Sequence, residues 1–263
     1  MIDLHSHFLP GVDDGAGDID VARTMIRQAA SVGITRLLAT PHINEHTTPD
    51  AIRQIRERFG DIRKEIENEG LRLRIDLAAE IRFDPALFDW LSQGWLMIGR
   101  EKRYMIIELP IQGLPINLSD HLFTIRTKGI IPIIAHPERN IVFQNQWQKL
   151  FEQLARDCII QVNAGSILGQ FGPGARQLAF VLLRRQKAHL VCSDAHEARK
   201  RNYMVLQRAY SEVQREFGAA AADVLFFDNP HRILEGGELT AMPSAPDKKG
   251  LKSLIKKYLK VGN

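Results

Sequence analysis

The chain has 263 residues, of which 44% are hydrophobic and 25% charged, long enough for one large α/β domain with a buried core or for two smaller ones. No apolar run reaches the roughly 20 residues of a membrane span, and no basic region followed by an apolar stretch marks a cleavable signal, so a soluble cytoplasmic protein is expected. The formal charge of +4 is uneven: Asp247 to Asn263 holds six lysines and one acid, a local +5 that leaves −1 for the other 246 residues, and charge therefore gives no support for a nucleic-acid-binding body.

Seven apolar, β-branched runs follow one another along the chain. The first, IDLHSHF, places His5 and His7 on one face of a strand by its period of two, and VDDG follows with Asp13 and Asp14. After the helical pattern VARTMIRQAASVG, the run RLLATPH ends at His42. The amphipathic stretch AIRQIRERFGDIRKEIENEG leads to LRIDLAAEI, closing on Glu80, and RYMIIELP closes on Glu108. Beyond the helical LSDHLFTIRTKG, IIPIIAHPER ends at His136 with Arg139 three residues on. WQKLFEQLARD, again helical, precedes CIIQVNAGS, which ends at Asn163, and HLVCSDAH ends at Asp194 and His196.

Continuous apolar strands joined by helical crossovers predict a parallel sheet buried on both faces. Seven of them over about 230 residues predict a closed barrel, with an open doubly wound sheet as the alternative. Residues 1–235 form the expected barrel domain. From Gly236 to Gly250 the chain is rich in Gly, Pro and small residues and reads as a linker. Leu251, Leu254, Ile255, Tyr258 and Leu259 then recur at helical spacing among lysines, so 236–263 is a linker with a short basic amphipathic segment. That segment either docks back or frays, or it makes peripheral contact with a membrane surface or acidic partner. Cys158 and Cys192 lie in apolar strand contexts and read as reduced, buried thiols.

Six of the seven strands end in His, Asp or Glu, whereas buried strand ends otherwise avoid unpaired charge. In a parallel barrel those ends share one rim, so the side chains converge. His5, His7, Asp14, His42, Glu80, Glu108, His136, Asp194 and His196 are nine candidate metal ligands. At about three protein ligands per catalytic ion they accommodate two or three divalent metals with open positions. Three such ions against four carboxylates leave a site of about +2, which favours a phosphate dianion. Imidazole and carboxylate without thiolate suit Mn, Fe, Zn or Co.

HSH, VDDG, TPH, a strand-terminal Glu, IELP, HPER and SDAH, in this order, resemble the PHP (polymerase and histidinol phosphatase) superfamily, and most closely its bacterial metal-dependent protein-tyrosine phosphatases of the CpsB/CapC type. The resemblance runs from Met1 to about Gly236 and does not reach the lysine tail. It implies a distorted (β/α)7 TIM-like barrel and a trinuclear metal centre, with Mn2+ the first candidate. The implied substrate is phosphotyrosine, on the C-terminal tail of a cognate tyrosine kinase that controls capsule or exopolysaccharide synthesis.

By motif, the resemblance gives one ion to His5, His7 and Asp194, bridged through Glu80 to a second on Glu108 and His136, with a third on Asp14, His42 and His196. Asp13 is the lesser candidate beside Asp14. Arg139 and Arg201 match the phosphate-binding arginines, with Arg199 a rival for the second place. Hydroxide made nucleophilic by the metals is expected to attack phosphorus in line. A thiol phosphatase needs an arginine in the sixth place after its cysteine, where this chain has Ala164 and Ala198. A histidinol-phosphatase-like small-molecule enzyme and a non-catalytic metal-bound regulatory domain are the alternatives. His46, His121, His189 and His231 do not end strands and read as ordinary surface or capping histidines, and Phe8 reads as core.

Overall fold

The structure is a computed structural model that describes residues 1–84, 94–154 and 158–244. Among these residues nine strands run in parallel: β1 (Ile2–Ser6), β2 (Arg36–Ala39), β3 (His42–Ile43), β4 (Arg74–Leu77), β5 (Glu80–Arg82), β6 (Tyr104–Glu108), β7 (Ile131–Ala135), β8 (Ile159–Asn163) and β9 (Leu190–Cys192). They pair as β1-β2-β4 and as β3-β5-β6-β7-β8-β9. The two sheets are one wall in two lengths. Pro41, which has no N–H to donate, breaks the run RLLATPH into β2 and β3, and Ala78-Ala79 separates β4 from β5. Hydrogen bonds from Ala78 N to Ala39 O (2.9 Å) and from Glu80 N to Pro41 O (3.1 Å) carry the pairing across both gaps. The nine strands thus make seven staves, as the seven apolar runs predict.

Closure occurs between the first stave and the last. Asp194 N donates to His5 O (3.0 Å) and His7 N to Ala195 O (2.8 Å), and Ser6 pairs with Ala195 in parallel register. Beneath this seam the buried Asp3 carboxylate accepts from Ser193 N (3.1 Å) and Ser193 Oγ (2.5 Å). The expectation of a distorted seven-stave (β/α) barrel is met, and the open sheet is not.

Helices cover the outside because their apolar residues recur on one face. In α1 (Ile19–Ser31), Ala22, Met25, Ile26 and Ala29 are buried, and Asp18 caps the N-terminus through Asp20 N and Val21 N. In α2 (Pro49–Asn68), Ile55, Ile62 and Ile66 face inward behind a Thr48 cap and Pro49 in the first turn. The wall continues with α3 (Leu118–Thr127), α4 (Ile141–Asn145), α5 (Trp147–Leu154), α6 (Ala164–Ile167), α7 (Gly172–Arg184), α8 (Met204–Phe217), α9 (Ala219–Asp223) and α10 (Asn229–Glu235). None of the described helices is long and apolar enough to cross a membrane.

After α10 the chain stays on the barrel. Thr240 N donates to Asn229 Oδ1 (2.8 Å), Asn229 Nδ2 donates to Thr240 O (3.0 Å), and Met242 is buried, so the stretch to Ser244 is pinned although its composition reads as linker. The basic amphipathic segment around Leu251 to Leu259 lies outside the described residues.

His189 departs from the surface or capping role expected of it. Mostly buried, it accepts from Ile160 N at Nδ1 (2.9 Å), and burial, with a smaller contribution from Lys187, pushes its pKa down to about 4. Between that value and the ordinary one near 6.5 the unfolded chain binds a proton that the folded chain refuses. Stability is therefore whole above about pH 6.5 and falls as pH drops toward 4, by up to about 3 kcal/mol for this group. His189→Asn keeps an acceptor oxygen but does not titrate, so urea unfolding of that variant is expected to show a flatter pH dependence across this window. An unchanged slope would contradict the assignment.

Candidate metal centre

All nine candidate ligands meet at the carboxyl-terminal rim. His5, at the end of β1, and His7, two residues on, project the same way, and their Nε2 atoms stand 3.2 Å apart. Glu80, the first residue of β5, reaches both: its Oε2 is 3.1 Å from His5 Nε2, 3.3 Å from His7 Nε2 and 3.1 Å from His42 Nδ1. Its Oε1 lies 3.1 Å from His136 Nε2, which in turn is 4.0 Å from Glu108 Oε1. Asp14 Oδ1 sits 3.2 Å from both His42 Nε2 and His196 Nε2. Asp194 turns Oδ1 toward His5 and His7, at 3.6 Å each.

Loop geometry sets these positions. His136 and Asp194 both hold left-handed backbone, φ 33° and 52°, a conformation that costs a non-glycine residue energy and recurs at functional sites. Gly15 is required for a different reason. A β-carbon there would lie 2.0 Å from His7 O, so only glycine lets the Asp13-Asp14 turn close over the first strand.

The charges are mutually dependent. Burial pushes the Glu80 carboxyl up, yet His5 and His136 beside it hold it well below the usual range. Asp194 is also held low against burial, by His5, His136 and Arg201. Burial works against protonation of His7, but the carboxylates of Asp13 and Glu80 beside it prevail and raise it to about 10. Asp14 is lowered by its bonds to His196 and His42.

The donor set fits divalent cations. Four overlapping groups offer three or four ligand atoms within 4.8 Å of one another: His7-Asp14-His42-His196, His5-His7-Glu80, His5-His136-Asp194 and His42-Glu80-Glu108. Buried Glu80 Oε2 has no hydrogen-bond partner despite three imidazole nitrogens around it. His7 Nδ1 lies on Asp13 (2.7 Å) and His5 Nδ1 on the Gln161 amide, which leaves the two Nε2 atoms facing each other and Glu80, where they would hold a cation.

Both predicted arginines border this cluster. Arg139 Nη1 and Arg201 Nη2 donate to Asp194 Oδ2 at 2.9 and 2.8 Å, and Arg139 lies over the Phe171 ring at 4.4 Å. Arg199 is exposed and makes no side-chain bond to a candidate ligand.

Residues 1–235 match the family model described as "Capsular polysaccharide synthesis, CpsB/CapC". The chain belongs to the CpsB/CapC family. Tyrosine-protein phosphatase YwqE of Bacillus subtilis is 30% identical over 249 residues, 95% of this chain and 97% of that protein. The putative tyrosine-protein phosphatase CapC of Staphylococcus aureus is 32% identical, covering 79% and 81%. A crystal structure described with YwqE and Streptococcus pneumoniae CpsB as metal-dependent tyrosine phosphatases superposes with a TM-score of 0.83 at 31% identity, over 94% of this chain and all of that one. Histidinol phosphate phosphatase of Lactococcus lactis shares the fold alone, with a TM-score of 0.53 at 14% identity.

Around its rim this CpsB/CapC chain carries a layer of supporting polar groups that motif reading passes over. Asp13 orients His7 and also accepts from His42 N (3.2 Å). Asn163, at the end of the run CIIQVNAGS, caps Gly165 N and donates to Asp194 Oδ2 (2.8 Å). Buried Glu138 accepts from Asn163 N (2.9 Å) and thereby steadies that contact. Asp3 with His5, and Gln161 with Asn163, follow the same period-two alternation that singles out His5 and His7, and that alternation is the signal that finds them.

Proposed function

We propose that this CpsB/CapC chain is a metal-dependent protein-tyrosine phosphatase whose site consists of the nine rim ligands with Arg139 and Arg201. The observation that carries the reading is Glu80, one buried carboxylate within 3.3 Å of the imidazoles of His5, His7, His42 and His136, the position of a group shared between cations. His5, His7, Glu80 and Asp194 would hold one ion, Glu80, Glu108 and His136 a second, and Asp14, His42 and His196 a third, with Mn the first candidate and Fe, Zn or Co the others. Bound there, such ions supply positive charge to a phosphoryl group and bring the pKa of water toward neutrality.

The chain's own residues do the rest. Arg139 and Arg201 each spend one N–H on Asp194 Oδ2 and keep other donors of the guanidinium fork for phosphoryl oxygens, where they stabilise charge as the ester bond breaks. Phe171 beneath Arg139 holds that fork in place. Asp13 and Gln161 orient His7 and His5. Direct hydrolysis without a cysteine nucleophile is supported by Cys158 and Cys192: both are buried, and burial pushes the Cys192 thiol far above the range in which a thiolate forms. The substrate is a phosphotyrosine protein, with the tail of a cognate cytoplasmic tyrosine kinase in keeping with the family's part in capsular polysaccharide synthesis.

Chelation followed by re-metallation tests cofactor and reaction together. Chelated protein is expected to release two or three ions by elemental analysis and to stop hydrolysing phosphotyrosine peptide, and re-metallation is expected to restore turnover. Persistent turnover after complete chelation overturns the metal assignment, and a peptide left untouched while histidinol phosphate is consumed overturns the substrate.

A further inference from the structure

Arg201 belongs to two places. Its Nη2 holds Asp194, and the residue also lines a surface pocket of about 480 Å³ with Phe171, Arg199, Lys200, Met204 and Arg208. Pockets of about 300–1,000 Å³ are the usual size for ligands. The lining carries four cations, Arg199, Lys200, Arg201 and Arg208, and no acid.

Several surface arginines elsewhere are neutralised: Arg23 pairs with Asp20 and Glu65, Arg27 with Glu69, and Arg36 with Asp76 and Glu235. Arg199, Lys200 and Arg208 have no carboxylate partner among the described residues. Helix α8 also starts in this lining, at Met204, with no acidic residue in its first turn and no side-chain cap at Tyr203, so its dipole adds to the positive field.

The pocket is built in advance rather than left to a mobile loop. His196 N donates to Arg201 O (2.9 Å), Met204 N to Asn202 Oδ1 (3.0 Å) and Tyr203 N to Gln28 Oε1 (3.2 Å), which fixes residues 201–204 against the rim and against α1. Exposed Met204 and the Phe171 ring add apolar contact beside the cations. Phe171 and Arg201 are shared with the centre, so the next side chains of a peptide, spaced at about 3.3–3.6 Å per residue, can reach this pocket while a phosphoryl group lies among the rim ligands.

We propose that the pocket is a second anion subsite, which selects phosphotyrosine peptides carrying a carboxylate or a further phosphate on a residue flanking the phosphotyrosine. The inference rests on the phosphatase reading above. Its test uses metal-loaded protein and non-hydrolysable phosphonate analogues of three phosphotyrosine peptides, flanked by Asp/Glu, by a second phosphotyrosine analogue, or by alanine, with binding read by fluorescence anisotropy. The two anionic peptides are expected to bind about tenfold tighter than the alanine one, as complementary charge at a preformed site allows. The stronger of the two identifies the preferred anion.

In the double variant Lys200→Glu/Arg208→Glu that preference is expected to vanish, while binding of the alanine peptide and turnover of p-nitrophenyl phosphate stay as in the parent. Equal binding of all three peptides by the parent protein, or equal weakening of all three in the variant, overturns the proposal. Preferential binding of the anionic peptides without hydrolysis of any phosphotyrosine peptide supports the subsite while the phosphatase reading fails.

Discussion

Glu80→Gln is expected to lower kcat/KM on a phosphotyrosine peptide by about 10³-fold or more, some 4 kcal/mol of lost transition-state stabilisation. One carboxylate faces four imidazoles through both its oxygens, so replacing one oxygen by an amide nitrogen removes the anion proposed to be shared between cations and turns a donor toward ring nitrogens that would hold them. Metal content by elemental analysis is expected to fall with activity. The barrel should survive, because Glu80's backbone pairing to Pro41 is untouched. A variant with full activity and full metal content refutes the shared-ligand assignment. His136→Ala offers a second check at the other Glu80 oxygen.

Arg139→Ala is the second large effect, about 10²-fold to 10³-fold in kcat, the usual consequence of removing one preorganised donor from a developing charge. Its guanidinium is bonded to Asp194 and lies over Phe171, so Ala deletes a donor whose place is already set, while the nine proposed ligands are expected to keep the same metal content. Steady-state kinetics beside elemental analysis separate the two losses: falling kcat at constant metal content is expected. Arg139→Lys keeps the charge without the fork and should recover only part of the activity. Equal loss of metal and rate would place Arg139 in support of Asp194 alone.

The barrel is legible in the sequence because a strand buried on both faces must be apolar throughout and its crossover helix must be amphipathic, so RYMIIELP or VARTMIRQAASVG admits few other readings. The split of RLLATPH and LRIDLAAEI into two strands each is less visible, since the apolar pattern runs through the breaks and only Pro41 marks one of them. Convergence of the rim residues is legible for the same topological reason: parallel strands put their ends together.

Supporting groups are harder to read. Alternation shows which way Gln161 points but not whom it meets, because its partner His5 is 156 residues away in sequence, and Glu138 meets Asn163 only through the pairing of β7 with β8. His189 misleads because its neighbours in sequence do not bury it. The packing of β8 against β9 and the return of the chain at Asn229 do.

The seam between β1 and β9 bears on how the protein is made. Asp3 and Ser193, 190 residues apart, lock the first stave to the last, and the same junction brings His5 and His7 to Asp194. On the ribosome those histidines emerge well before their aspartate partner. A nascent or truncated polypeptide that has not yet delivered its final stave cannot assemble this cation pocket. The hydrolysis proposed for this site is therefore expected only from chains whose ring is complete.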